Sequence, residues 1–169
     1  MPDKYLYNNQ GTLTEREAKD SSAGAGDAGK IVALDSTGRL SSTMMPIGIG
    51  ADTKTMTASE NLNAGDFVNI WNDAGTVKVR KADATTAGKE ANGFVLNTVT
   101  AGSDVAVYFE GTNTQLTGLT GGAMYFLSTT AGGVTSTAPN ASGNIVQKLG
   151  RALSSTEINF EPSDPIVLA

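Results

Sequence analysis

The chain has 169 residues, and its 12 basic and 17 acidic side chains give a net charge of −5 at neutral pH. It contains neither Cys nor His, which excludes a disulfide framework, a thiolate nucleophile, a Cys/His zinc site and any mechanism that needs a histidine base. An acidic balance is the wrong sign for a phosphate backbone, so nucleic acid is not an expected partner; no apolar run approaches the roughly 20 residues that cross a bilayer, so neither is a membrane.

At 17.3 kDa surface scaling leaves about 69% of the unfolded chain's surface available for burial. A sizeable core therefore needs no metal or disulfide staple. The start, Met1-Pro2-Asp3-Lys4-Tyr5, lacks the apolar core of a signal peptide, and the expectation is a soluble protein made in the cytosol. Only oxygen ligands are on offer to a metal, the carboxylates are scattered, and no cofactor site is expected.

The aromatic residues divide the chain. Tyr5 and Tyr7 stand at the start, and the next aromatic is Phe67, followed by Trp71, Phe94, Tyr108, Phe109, Tyr125, Phe126 and Phe160. Aromatics supply much of a core's buried area, so residues 1–50 read as an extended N-terminal arm and linker, and 51–169 as the folded domain. Within the arm, Thr14-Glu15-Arg16-Glu17 has the form of a capping box and predicts one helical turn. Residues 21–29, rich in Ser, Ala and Gly, read as a flexible linker. Lys30 to Leu34 predicts a short strand, Asp35-Ser36-Thr37-Gly38 a turn, and Arg39-Leu40 the returning strand of a short hairpin. Pro46 and Ile47-Gly48-Ile49-Gly50 close the arm.

Beyond it, short β-type runs alternate with turns. Val68 to Trp71, Asn72-Asp73-Ala74-Gly75 and Thr76 to Lys81 predict a hairpin. Phe94 to Val99 and Asp104 to Phe109, around Thr100-Ala101-Gly102-Ser103, predict a second. Met124 to Leu127, Gly133 to Thr135, Ile145 to Leu153 and Glu157 to Phe160 are further strands. No stretch sustains a helical period. An all-β fold follows, a small antiparallel barrel or sandwich.

The domain also repeats itself. Gly65 and Gly122 are 57 residues apart, and the same offset pairs Leu62 with Leu119, Ala74 with Ala131, Gly75 with Gly132, Val77 with Val134, Gly93 with Gly150 and Leu96 with Leu153. Hairpin positions coincide as well as letters. Two such units, neither able to bury its own apolar face, are expected to close into one pseudo-symmetric barrel.

Motifs that carry chemistry reduce to turns. Gly24-Ala25-Gly26-Asp27-Ala28-Gly29-Lys30 matches the first seven positions of a phosphate-binding loop. The eighth, however, is Ile31 where Ser or Thr must hold magnesium, and the flanks are linker and strand. Asp35-Ser36-Thr37-Gly38 has one residue too many for an aspartic-protease signature. Glu110, Glu157 and Glu161 could form a glycosidase pair only if folding gathered them. Asn140-Ala141-Ser142 is a formal glycosylation sequon and marks a surface loop. Trp71, the single Trp, reads either as a core plug or as a surface for a sugar or partner. In the arm, Tyr5, Tyr7, Met44 and Met45 are side chains that an ordering segment would lay on a partner; the bland alternative is plain disorder.

The stretch from Gly29-Lys30-Ile31-Val32-Ala33-Leu34 through Arg39-Leu40 to Met44-Met45-Pro46 resembles a linker of tailed-bacteriophage head and tail fibre proteins. Asn61-Leu62-Asn63-Ala64-Gly65-Asp66-Phe67-Val68 through Val105 to Gly111 is similar to the small β-barrel capsid decoration (cement) proteins of such phages. Leu119 to Leu153 is similar to β-modules of phage surface proteins. The resemblance implies a non-enzymatic virion protein on the capsid exterior, with the major capsid protein and further copies of itself, a trimer foremost, as partners. The contact residues expected are Tyr5, Tyr7, Met44, Met45 and Trp71. A fibre module that binds a host glycan is the alternative, and a carboxylate-dependent glycosidase a third.

Overall fold

A computed structural model describes residues 3–45 and 51–169. The chain divides into two compact units, Met1–Gly50 and Ala51–Ala169. The expected closing segment, 46–50, lies outside the described residues.

In the first unit, β1 (Lys4–Asn9) and β2 (Thr12–Glu17) form an antiparallel hairpin. Its two-residue turn has Gln10 at φ 51° and Gly11 at φ 93°, and the Asn8 carboxamide accepts the Gly11 N–H at 2.8 Å. Two central residues with positive φ match the twist of the flanking strands. The expected helical turn at Thr14–Glu17 is therefore a strand, because pairing with Tyr5-Leu6-Tyr7 outweighs a weak capping signal.

Residues 21–29 are held as well. A 3-10 turn spans Ala25–Asp27, and the Asp27 carboxylate accepts the Ala23 N–H and the Lys30 ammonium, both at 2.8 Å. The strand expected at 30–34 shrinks to one parallel bridge, Lys19 with Val32. The turn at Asp35 forms, with its carboxylate accepting the Thr37 and Arg39 N–H groups, but Arg39-Leu40 does not return as a strand. A second 3-10 turn, Ser42–Met44, is capped by the Ser41 hydroxyl. None of the described residues 3–45 is buried.

The second unit holds two five-stranded antiparallel sheets. The first takes β3 (Thr53–Thr57), β4 (Phe67–Asp73), β5 (Thr76–Lys81), β6 (Gly93–Val95) and β7 (Asp104–Tyr108) in the order β3-β7-β6-β4-β5. The second takes β8 (Gly111–Asn113), β9 (Met124–Leu127), β10 (Val134–Thr135), β12 (Lys148–Ala152) and β13 (Ile158–Phe160) in the order β8-β13-β12-β9-β10. Short strands β11 (Ile145–Val146) and β14 (Ile166–Val167) pair separately.

The two orders are the same topology, strand for strand. The register agrees too: Phe67 pairs with Phe94 and Val68 with Gly93 in the first sheet, Met124 with Arg151 and Tyr125 with Gly150 in the second. The offset is the 57 residues of the sequence repeat. Even the paired glycines do the same work. A Cβ on Gly93 would lie 2.6 Å from the Tyr108 carbonyl oxygen, and one on Gly150 would collide with that of Asn159, its counterpart on the neighbouring strand.

Each repeat has a core of its own. Met56, Leu62, Val68, Val79, Val95, Val105 and Val107 fill one, and Leu119, Tyr125, Ala152 and Ile158 the other. A third cluster joins them, with Phe67, Ala82, Ala84 and Phe94 from the first repeat against Leu127, Ile145, Leu149 and Phe160 from the second. Hydrogen bonds cross the same seam: Phe67 N–H to the Gly132 carbonyl, Ala84 N–H to that of Ser128, and the Asn113 carboxamide to that of Gly65.

The architecture is thus a sandwich-like pair of sheets, and the single barrel expected from the repeat does not form. In the first sheet Ala58, just after β3, makes one parallel bridge to Val79 in β5 at the far edge, but no ladder closes it. Sheet faces explain the difference. Along the row Phe67–Phe94–Tyr108 the first sheet turns an aromatic face to the second repeat, with Phe94 and Tyr108 stacked at 5.4 Å and Phe67 and Phe94 each within 5.6 Å of Phe160. The equivalent row of the second sheet is Met124–Arg151–Asn159, in which Arg151 is exposed. The repeats therefore join through unlike faces.

Candidate partner-contact site

Alternation along the β1–β2 hairpin sorts its side chains into two faces. Cross-strand partners share a face, so Tyr5 and Tyr7 stand with Arg16 and Thr14 on one. There the Arg16 guanidinium lies 3.6 Å from the centre of the Tyr7 ring, a cation–π contact that fixes both side chains. Both tyrosines are half-buried. The Tyr5 hydroxyl is shielded from water and has no hydrogen-bond partner among the described residues.

The other face carries Lys4, Leu6 and Asn8 opposite Glu17, Glu15 and Leu13. Lys4 meets Glu15 at 2.9 Å, and the hydrogen bond to that carboxylate, with its charge, raises the lysine's pKa. Leu6 and Leu13 are 73% and 67% exposed. Neither leucine was expected among the contact residues. The signal that could have found them is the run Tyr5-Leu6-Tyr7, apolar at three successive positions and so apolar on both faces of any strand.

Met44 is half-buried and Met45 exposed. They line a depression of about 390 Å³ beside Val32, Thr43 and the Asp27–Lys30 pair, held shut on one side by the Ser22 N–H, which donates to the Thr43 hydroxyl at 2.9 Å. A polarizable, adaptable lining of this kind suits an apolar partner side chain. The would-be phosphate loop supplies nothing here, since Lys30 is tied to Asp27. Hydrogen bonds from Lys30 and from the Ala23 N–H hold the Asp27 carboxyl below its ordinary range.

A further depression of about 400 Å³ is rimmed by Asp3, Glu17, Asp20 and Asp35. It is no cation cage: among the described residues no three acidic side chains are placed to hold a metal ion. Asp35 is committed to its turn, and the Thr37 hydroxyl and the Arg39 and Thr37 N–H groups lower its pKa.

Trp71 belongs to the other unit. It sits half-buried on β4, its indole N–H donating to the Ser59 hydroxyl at 3.1 Å. The Arg80 guanidinium lies over the ring at 4.6 Å, itself oriented by the Asn69 carboxamide and the Gly88 carbonyl. The five expected contact residues thus fall in two bodies, Tyr5, Tyr7, Met44 and Met45 in one and Trp71 in the other. Of the three glutamates weighed as a catalytic pair, Glu110 and Glu161 both flank the Gly111–Phe160 end of the β8–β13 ladder and Glu157 flanks the opposite end. In comparisons with known proteins, no family model and no curated sequence matches the chain.

Proposed function

We propose that the chain is a structural virion protein that binds the exterior of a bacteriophage capsid and stabilises contacts between neighbouring major capsid subunits. The observation that carries this reading is the contrast between the units. Residues 51–169 bury two repeat cores and a seam of their own, whereas the described residues 3–45 bury nothing and hold Tyr5, Tyr7, Met44 and Met45 at a partly exposed surface. A docking segment attached to a self-sufficient body is what a passive clamp requires. Such a clamp works by linkage, because a ligand that binds the assembled shell and not its separate subunits stabilises the shell. Many copies on a symmetric lattice turn small contacts into avidity, and the net charge of −5 keeps an abundant surface protein from aggregating.

The test is co-sedimentation with capsids of the phage that encodes the chain. The intact protein is expected to pellet with them and to raise the temperature at which they disassemble. A form lacking residues 1–45 is expected to stay in the supernatant while its β-structure is kept. Equal binding by both forms would remove the N-terminal unit from the contact. Trp71, on which a glycan-binding fibre module would turn, is covered by Arg80 on one ring face, and no observation favours that second reading.

A further inference from the structure

We propose that a depression lined by the end of β2 and the Gly26–Lys30 turn receives an acidic segment of the partner protein, with a carboxylate seated against Arg16 and Lys19. This rests on the reading of residues 3–45 as the docking surface and names what that surface takes. The depression measures about 490 Å³ and is lined by Arg16, Glu17, Lys19, Gly26, Ala28 and Lys30. It sets three cations against one carboxylate, in a chain whose net charge is −5.

Arg16 and Lys19 are the cations left available there. Of the five in residues 1–50, Lys4 pairs with Glu15 and Lys30 with Asp27. Arg16, Lys19 and Arg39 have no ion pair among the described residues, and two of those three line this one depression. Arg16 is also held in place, its guanidinium 3.6 Å from the centre of the Tyr7 ring. A planar fork that matches a carboxylate is thus presented with little freedom left to lose. Gly26 and Ala28 add almost no side-chain bulk to the wall, which leaves room for the main chain that carries the carboxylate. Charge elsewhere sharpens the choice. A neighbouring depression, which shares Glu17 and Lys19, is rimmed by Asp3, Asp20 and Asp35, and residues 51–169 carry seven basic against eleven acidic side chains. Both repel an acidic segment, and that repulsion adds specificity to the attraction at Arg16 and Lys19.

NMR of the intact, isotope-labelled protein, titrated with a hexaglutamate peptide at low salt, tests this. Saturable shifts are expected at the amides of 16–19 and 26–30, and none from hexalysine. Lys19→Gln removes a charge without breaking an ion pair, and it is expected to weaken binding about threefold or more. Arg39→Gln, which removes an unpaired cation outside the depression, should leave binding unchanged. Four results would overturn the proposal: no saturable shift, shifts confined to other residues, the same effect from both variants, or inorganic phosphate matching the peptide. Capsid co-sedimentation is read separately. Hexaglutamate binding without capsid binding overturns the capsid reading alone, and capsid binding without hexaglutamate shifts overturns this one.

Discussion

Gly150 is the most tightly enclosed of the described glycines. Its φ of 148° and the Asn159 carbonyl, which occupies the place a Cβ would take, leave no room for a side chain. Gly93, its partner in the repeat, has no positive φ, and a Cβ there would press on the Tyr108 carbonyl at 2.6 Å and the Val107 side chain at 2.8 Å. Gly150→Ala is accordingly expected to cost about 3 kcal/mol or more, and Gly93→Ala less. Urea unfolding followed by the fluorescence of Trp71, the sole Trp, measures both. Equal costs would mean that the strand, and not the backbone conformation, sets the penalty. The pairing of these glycines was legible in the sequence as an offset of 57. Their different constraints were not, because φ depends on the bulge between Lys148 and Gly150 in the ladder to β9.

Among the elements, the loop from Asp83 to Lys89 locks one repeat to the other. The Asp83 carboxylate accepts the Thr85 N–H at 2.7 Å, the Thr85 hydroxyl and, at 3.4 Å, the Lys89 ammonium. Ala84 beside it donates to Ser128 and accepts from Ile145 across the seam. Burial pushes the Asp83 pKa up, but the Thr85 hydrogen bonds and Lys89 outweigh it, and the net direction is down. A carboxyl with a folded pKa below its unfolded one contributes stability above the unfolded value and loses it as pH falls through the folded one. Stability should therefore drop as the solution is acidified below about pH 4, and Asp83→Asn should flatten that part of the profile in thermal melts from pH 3 to pH 6. An unchanged slope would assign the acid sensitivity elsewhere.

The elements also show where sequence patterns suffice. Asn72-Asp73-Ala74-Gly75 was read as a hairpin turn, and it forms one with Ala74 at φ 50° and Gly75 at φ 93°. The Asn72 side chain accepts the Gly75 N–H at 2.7 Å. Asn8-Asn9-Gln10-Gly11 makes the same turn by the same hydrogen bond, yet the sequence around it reads as an arm with one helical turn. Both turns have Asn first and Gly fourth; what differs is the flanking sequence, which at Thr12–Glu17 carries one apolar residue, Leu13, before a run of three charged ones. Strands β3 and β8 went unread for the same reason: edge strands rich in Thr need no apolar pattern. The run Ile145–Leu153 was read as one strand, but it breaks at Gln147. That buried carboxamide accepts the Ala91 N–H and donates to the Ala91 carbonyl, a pairing set by the tertiary fold alone.

For the whole molecule, stability resides in residues 51–169. The three hydrophobic clusters found among the described residues lie there, and the N-terminal unit buries no described residue. A protein comprising 51–169 alone is expected to melt within about 4 °C of the intact chain, the shift that roughly 1 kcal/mol produces. Residues 1–50 alone should show no cooperative transition by calorimetry. A much larger fall on removing the N-terminal unit would mean that it shares in the sandwich's stability.

The unlike faces of the seam have one further consequence. A contact between different surfaces does not close on itself as a two-fold contact does, and in principle it can be continued unit after unit. The described residues hold two such units. Where the first sheet offers Phe94 and Tyr108 to its neighbour, the second sheet places Arg151, tied to the Gly122 carbonyl, and Asn159, tied to the Glu161 carboxylate. Those two polar side chains do for this chain what terminal caps do for solenoid arrays. They finish the stack, and replacing them with the aromatics of the first repeat would rebuild an adhesive end on which chains could string together.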